Sequence, residues 1–219
     1  MSCDGVPHSN LDNITRILTT HPEMVDRIWY DEFHDQVFST LFTEQPAAWT
    51  EQHDSRLTIL IQSRLRMHKI TTNMVREAVS TVASINVRNE PREWLESLKW
   101  DGTERLAHLF SDGFGATFDE YTAAVSRCFI VGMVARILDP GCKMDNAPVL
   151  EGSQGVGKSS GLAILGGKYF TESHESVTSK DFFQALQGKM LVEISEMHAF
   201  SRADVLRVKG VISCATDRY

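Results

Sequence analysis

The segment Gly-Ser-Gln-Gly-Val-Gly-Lys-Ser, residues 152–159, leaves this chain few folds to choose from. It stands between the apolar run 147–151 and a helical apolar pattern that starts at Lys158. Gly152, Gly157, Lys158 and Ser159 meet the spacing G-x-x-x-x-G-K-[ST]. Glycines let a backbone turn tightly and approach an anion with no side chain in the way. The N–H groups of Gly155, Val156, Gly157 and Lys158 can then point inward at phosphate oxygens. The following helix adds the positive end of its dipole. In such a loop the lysine places a full charge between the two terminal phosphates, and the Ser159 hydroxyl completes the shell of Mg²⁺. Gly152, Ser153, Gln154, Gly155, Val156, Gly157, Lys158, Ser159 and Ser160 are the expected nucleotide-binding set. Ser160 reads as a helix residue rather than a ligand. A glycine-rich turn with an incidental lysine is the plainer alternative, and the strand before it and helix after it favour the nucleotide.

Hydrolysis needs acidic groups at the end of a neighbouring strand, to organise Mg²⁺ and to polarise the attacking water. Residues 189–196, K-M-L-V-E-I-S-E, offer Glu193 and Glu196. In a strand Glu193 and Ser195 share one face, and Glu196 points the other way or opens the loop. An apolar run closed by Asp-Glu would put an aspartate where Ser195 stands. Glu196 is therefore the candidate for activating water, and Glu193 the candidate for Mg²⁺ together with Ser159. Glu193 reads equally as an edge carboxylate. Nothing after Glu196 supplies a polar sensor. Arg202, Arg207, Lys209 and Arg218 are available as a charge reaching across a subunit boundary, though each also reads as a helix-surface residue.

The rest of the chain sets limits. Four cysteines without a C-x-x-C pair and eight histidines without ligand spacing argue against a zinc site and a disulfide framework, and suit a reducing cytoplasm. No early apolar segment follows a basic start, so no secretory signal is expected, and the longest uninterrupted apolar run, 128–135, is too short to span a bilayer. Residues 1–55 carry ten Asp/Glu against two Arg, while 56–219 are close to neutral. Bulk charge thus gives no support for coating DNA. The one basic neighbourhood, Arg56, Arg64, Arg66, Lys69 and Arg76, lies in a helical unit at 55–87 with a helix-turn-helix outline. It reads as a solvated face, with a DNA-touching face as the alternative.

Periodicity predicts a long, deeply packed helix over 119–139, stopped at Pro140-Gly141. Beyond it come a strand at 147–152, a helix at 158–167, a helix at 179–189, a strand at 190–196 and a helix at 201–213. That alternation implies a parallel sheet. The expected organisation is a helical region over 1–90, a helical lead-in over 91–142 and a nucleotide-binding core over 143–219, incomplete on its C-terminal side.

The stretches 98–106 (LKWDGTERL), 139–160 (DPGCKMDNAPVLEGSQGVGKSS), 179–213 and the closing Asp217-Arg218-Tyr219 together resemble the virulence-associated protein E family, over roughly residues 90–219. The resemblance implies an α/β fold with a P-loop NTPase (AAA+-like) core, behind a mainly helical N-terminal region. It implies a replication ATPase of phages, prophages and other mobile elements, akin to superfamily-three and D5-type helicases. ATP and Mg²⁺ are the implied cofactors. DNA, single-stranded by the same resemblance, a primase domain or protein, and further copies of the chain in a ring are the implied partners, with no membrane. Gly152, Gly155, Gly157, Lys158 and Ser159 carry over as the nucleotide loop, and Glu193 and Glu196 as the acidic strand. Lys143 and Asp145 match a recurring K-x-D with no assignable role. A nucleotide-binding fragment or regulatory module without helicase activity is the competing expectation. A small-molecule kinase is disfavoured by the lack of a lid-like arginine cluster.

Overall fold

The computed structural model describes residues 8–177, 179–195 and 202–214, the side chains of 202–205 excepted. The chain divides into two compact units, Met1–Glu90 and Pro91–Tyr219.

In the N-terminal unit, helix α1 (Leu11–Thr20) starts at Asn10, whose side chain accepts from Asn13 N–H, and it buries Ile14 and Leu18. Strands β1 (Ile28–Asp31), β2 (Gln36–Ser39) and β3 (Ala47–Ala48) follow as an antiparallel run. Helices α2 (Glu51–Arg64) and α3 (Thr72–Ile85) come next, and β4 (Val87–Arg88) returns parallel to β1, giving the order β3-β2-β1-β4. The helical reading of 1–90 missed this sheet. Strands of two to four residues are too short for an alternating pattern to register. The helices close one core, in which Ile14, Leu18, Ile28, Leu57, Ile61 and Val75 are all at most 1% exposed. Three of the five basic residues at 55–87 are engaged inside the unit. Arg76 pairs with Asp54 and Glu51, Arg64 pairs with Glu23, and Arg56 lies over the Phe42 ring. These partners favour the solvated-face reading.

In the C-terminal unit, α4 (Glu90–Ser97) has Pro91 in its first turn, where the missing N–H costs nothing. Asp101 then closes an Asp-Gly turn, accepting from Thr103 N–H and gripping Arg105 with both oxygens. The Arg105 contact, with the Thr103 bond second, holds the Asp101 carboxyl well below the ordinary aspartate range. A short 3-10 turn leads into α5 (Leu109–Phe114). Helix α6 (Glu120–Leu138) is capped by Asp119 and ends before Pro140. It was expected to pack deeply, yet buries only Ala123, Ser126, Phe129 and Ile137, leaving Tyr121 and Val131 exposed. Its apolar residues run around the whole circumference, and one face alone meets the core. Among the described residues α6 is the one helix long and apolar enough to cross a membrane by length and composition.

Helix α7 (Lys158–Gly166), β5 (Phe170–Ser173), α8 (Lys180–Leu186), β6 (Leu191–Ile194) and α9 (Arg202–Ile212) complete the unit. The parallel pairing expected of a strand–helix–strand run is present between β5 and β6, with Phe170 opposite Leu191 and Glu172 opposite Glu193. The expected strand at 147–152 is not formed. Leu150 packs against the apolar cluster of Phe110, Phe129, Leu162 and Leu191, but its segment joins no ladder. Pro148 removes one of the donors such a ladder would use. The result is a mixed α/β architecture whose C-terminal unit sets one parallel strand pair against α7.

Candidate functional site

The loop ahead of α7 is shaped by its glycines. Gly155 and Gly157 have φ of 80° and 88°, in the left-handed region where a side chain would be strained. Gly157 is the N-cap of α7, and its carbonyl accepts the first helical bond from Gly161 N–H at 2.9 Å. The turn therefore delivers the exposed N–H groups of the loop and the half-buried Lys158 to the head of the helix. The Lys158 ammonium reaches back and donates to the carbonyls of Gly152 (2.9 Å) and Ser153 (3.0 Å), tying both ends of the loop together.

Close packing fixes the helix that carries this loop. A Cβ at Gly161 would stand 2.7 Å from the Phe114 ring, and one at Gly166 would stand 2.8 Å from Phe170 Cβ and 3.1 Å from Leu191 Cβ. Glycine at these two points lets α7 lie flat on α5 and on the strand pair. The face it covers is the one bearing Phe170 and Leu191, and period-two alternation puts Glu172 and Glu193 on that same face.

The consequence is a contact across 34 residues of sequence: Ser159 Oγ–H donates to Glu193 Oε1 at 2.7 Å. The other oxygen, Glu193 Oε2, is buried and has no hydrogen-bond partner among the described residues. One strand over, Ser195 Oγ–H donates to Glu172 Oε1, and His174 Nε2 stands 3.7 Å from the same oxygen. The arrangement sets a serine hydroxyl, next in the chain to the loop lysine, against one of two register-paired carboxylates. Chemically it offers N–H donors and a cation for an oxyanion, beside hard oxygen ligands for a divalent cation.

The sequence candidates distribute unevenly over this geometry. Gly152, Ser153, Gln154, Gly155, Val156 and Gly157 form the exposed loop, and Ser160 sits exposed in the first turn of α7. Ser159 and Glu193 converge, while Lys158, next to Ser159 in the chain, turns its ammonium onto the loop carbonyls. Glu196 and Arg218 lie outside the described residues, as does the Arg202 side chain, while Arg207 and Lys209 are exposed on α9. Lys143 and Asp145 form an exposed ion pair at 3.3 Å. Met144 between them lies flush on α6, its sulfur 2.6 Å from where a Cβ at Gly132 would stand. The K-x-D thus anchors the segment leading to the loop. Glu172 belonged to no motif. Its only sequence signal was a polar residue at the alternate position of a four-residue strand, which is indistinguishable from a solvated edge.

No curated protein matches the sequence. Residues 95–219, more than half of the chain, match the model of the virulence-associated protein E-like domain. That span contains the loop, α7, the strand pair and every converging side chain described above. The chain belongs to the virulence-associated protein E-like family.

Proposed function

We propose that residues 152–159 bind ATP with Mg²⁺ on a P-loop NTPase core. On this reading the chain is the ATP-hydrolysing module of a DNA replication helicase from a phage-like or other mobile element. It works in the cytoplasm on single-stranded DNA, as a ring of identical subunits, beside a primase domain or protein. The family assignment is compatible with a replication role. The observation that carries the reading is the Ser159–Glu193 contact, which joins the head of the glycine loop to the acidic strand.

The residues divide the work by their chemistry. The loop N–H groups and the α7 dipole neutralise phosphate charge without reorganising when the charge develops. Lys158 exchanges its two carbonyl partners for phosphate oxygens, whose negative charge makes the contact stronger than the ones it leaves. Ser159 and Glu193 fit a hard cation, since both present oxygen and Glu193 keeps one buried oxygen unpartnered among the described residues. Ser159 and Glu193 would hold Mg²⁺, which when bound would offset the negative charge of the phosphates. Glu196 is assigned the polarisation of the attacking water.

The test is the steady-state rate of ATP hydrolysis with and without single-stranded DNA, using Lys158→Ala as the blank. Stimulation by DNA that Lys158→Ala abolishes is the expected result. Unchanged hydrolysis in Lys158→Ala would sink the assignment of the loop. Nucleotide bound without turnover would make the chain a regulatory nucleotide-binding module rather than a motor.

A further inference from the structure

The acidic strand lacks one group. Where an aspartate would precede Glu196, β6 is followed by Ser195, so the strand itself provides a single carboxylate beside Ser159. The neighbouring strand makes up the difference. Glu172 is the register partner of Glu193, so the two Cα atoms stand opposite each other across a parallel ladder about 5 Å wide. Both side chains rise from the face that α7 covers, as the contacts of Gly166 with Phe170 and Leu191 require. We propose that Glu172 is the second carboxylate of the Mg²⁺–nucleotide site, held in place by the hydroxyl of Ser195. The inference rests on the reading of residues 152–159 as a nucleotide loop.

Three observations converge on it. Like charges directly opposite on paired strands destabilise a sheet unless something positive lies between them. Here no lysine or arginine forms an ion pair with Glu172 or Glu193 among the described residues, and the nearest ring, His174, stands at 3.7 Å from one Glu172 oxygen. Second, each carboxylate is oriented by one serine: Ser159 donates to Glu193, and Ser195 donates to Glu172. The bonds cross between strands and helix, so each serine fixes a carboxylate on another element. Third, Glu193 Oε2 is buried without a hydrogen-bond partner among the described residues, which is costly unless a ligand satisfies it. Among the described residues no three His, Cys, Asp or Glu side chains converge as a complete metal cage. Mg²⁺ characteristically takes one or two carboxylates plus substrate phosphates. A carboxylate pair with a serine hydroxyl at the mouth of a phosphate loop meets that requirement. Ser195 then has a reason to be a serine: it positions Glu172 instead of ligating.

The experiment titrates Mg²⁺ against the affinity of the intact chain for a fluorescent ATP analogue, with matched measurements in EDTA. Glu172→Gln should raise the Mg²⁺ concentration for half-maximal tightening by roughly 10–100-fold, while affinity in EDTA stays the same or improves. Ser195→Ala should shift the midpoint the same way by less, and Ser195→Thr, which keeps the hydroxyl, should restore it. A Glu172→Gln midpoint equal to wild type overturns the inference. Should Glu172→Gln fail to fold, Glu172→Asp carries the test: it keeps the charge with a shorter reach, and an unchanged midpoint there also overturns it. Wild-type binding that Lys158→Ala does not weaken overturns the loop assignment, and this inference with it. Lys158-dependent binding with an unshifted Glu172→Gln midpoint overturns only the role of Glu172.

Discussion

Each unit of the molecule holds a carboxylate with buried oxygen, Asp54 and Glu193, and the two are finished in opposite ways. In the N-terminal unit Asp54 is closed: Trp49 Nε1–H donates to Oδ1 at 2.8 Å and Arg76 Nε–H to Oδ2 at 3.0 Å. In the C-terminal unit Glu193 is open, with Oε1 taken by Ser159 and Oε2 buried without a hydrogen-bond partner among the described residues. A carboxylate whose lone pairs are answered by its own fold ties α2, α3 and the segment before α2 together. One left half-answered costs stability and is retained where a ligand completes it. The surroundings follow the same division. The closed group sits beside a core of many buried side chains, the open one beside a cluster whose buried members are Phe110, Phe129, Leu162 and Leu191.

Removing the charge from each group should separate the two roles. Glu193→Gln is expected to lower ATP turnover by about a hundredfold. Thermal stability should stay level or rise, since a carboxylate with one buried, unpartnered oxygen becomes a neutral amide. A large drop in melting temperature in Glu193→Gln would make it a structural group like Asp54 and break the contrast. Asp54→Ala is the mirror experiment. Arg76 is 52% exposed and can return to water, so the cost falls on Trp49 Nε1–H, which loses its acceptor, and amounts to about 1–3 kcal/mol. Chemical denaturation should show that loss, with the affinity for nucleotide unchanged below the transition.

The contrast also explains which parts of the fold were legible in the sequence. Motifs announce themselves where chemistry restricts residue type at fixed spacing. The loop at 152–159 and the start of α7 at Lys158 could be read that way. Helix α6 was visible from its length and its Pro140 stop, but not its exposure, because apolar periodicity says nothing about how much of a helix its neighbours cover. The strand at 147–152 was misread for a related reason. Apolar composition reports burial, and Leu150 is packed, yet a strand also needs a partner edge. Glu172 was invisible because its position depends on register. Only the pairing of Glu172 with Glu193 distinguishes it from a surface carboxylate. The sheet order β3-β2-β1-β4 is set by long-range pairing as well, between strands too short to carry a signal.

Helix caps offer a gentler comparison. Asn10 caps α1 and Ser179 caps α8, each accepting one N–H bond from the first turn. Replacing either by Ala should cost about 1 kcal/mol. The two differ in what they should move. Helix α8 connects β5 to β6, so Ser179→Ala should loosen the register that sets Glu172 beside Glu193 and weaken Mg²⁺-dependent nucleotide binding by a few-fold. Asn10→Ala should leave that binding untouched. Equal effects of the two caps on nucleotide affinity would show that the strand pair is not held through α8.

The smallest effect concerns a hydroxyl–carboxylate contact that the two units share in kind. Tyr30 Oη–H donates to Asp35 in the β1–β2 hairpin, much as Ser159 donates to Glu193. The bond to Asp35 is the main cause, with burial second, that pushes the Tyr30 phenol from 10.0 up to about 12. The folded value lies above the unfolded one, so the contact contributes stability that is fully present below about pH 10. That contribution fades as the pH rises through the interval from about 10 to about 12. Wild type should therefore lose its margin over Tyr30→Phe as the buffer moves from pH 9 to pH 11.5, with a melting-temperature difference of a few degrees at most. Tyrosinate absorbance at 295 nm reads the same group directly. A late-titrating phenol present in wild type and missing in Tyr30→Phe is expected. Titration of every tyrosine near pH 10 would mean that Asp35 does not hold the hydroxyl in solution. The hairpin contact would then be a surface encounter, unlike the serine bond that orients Glu193.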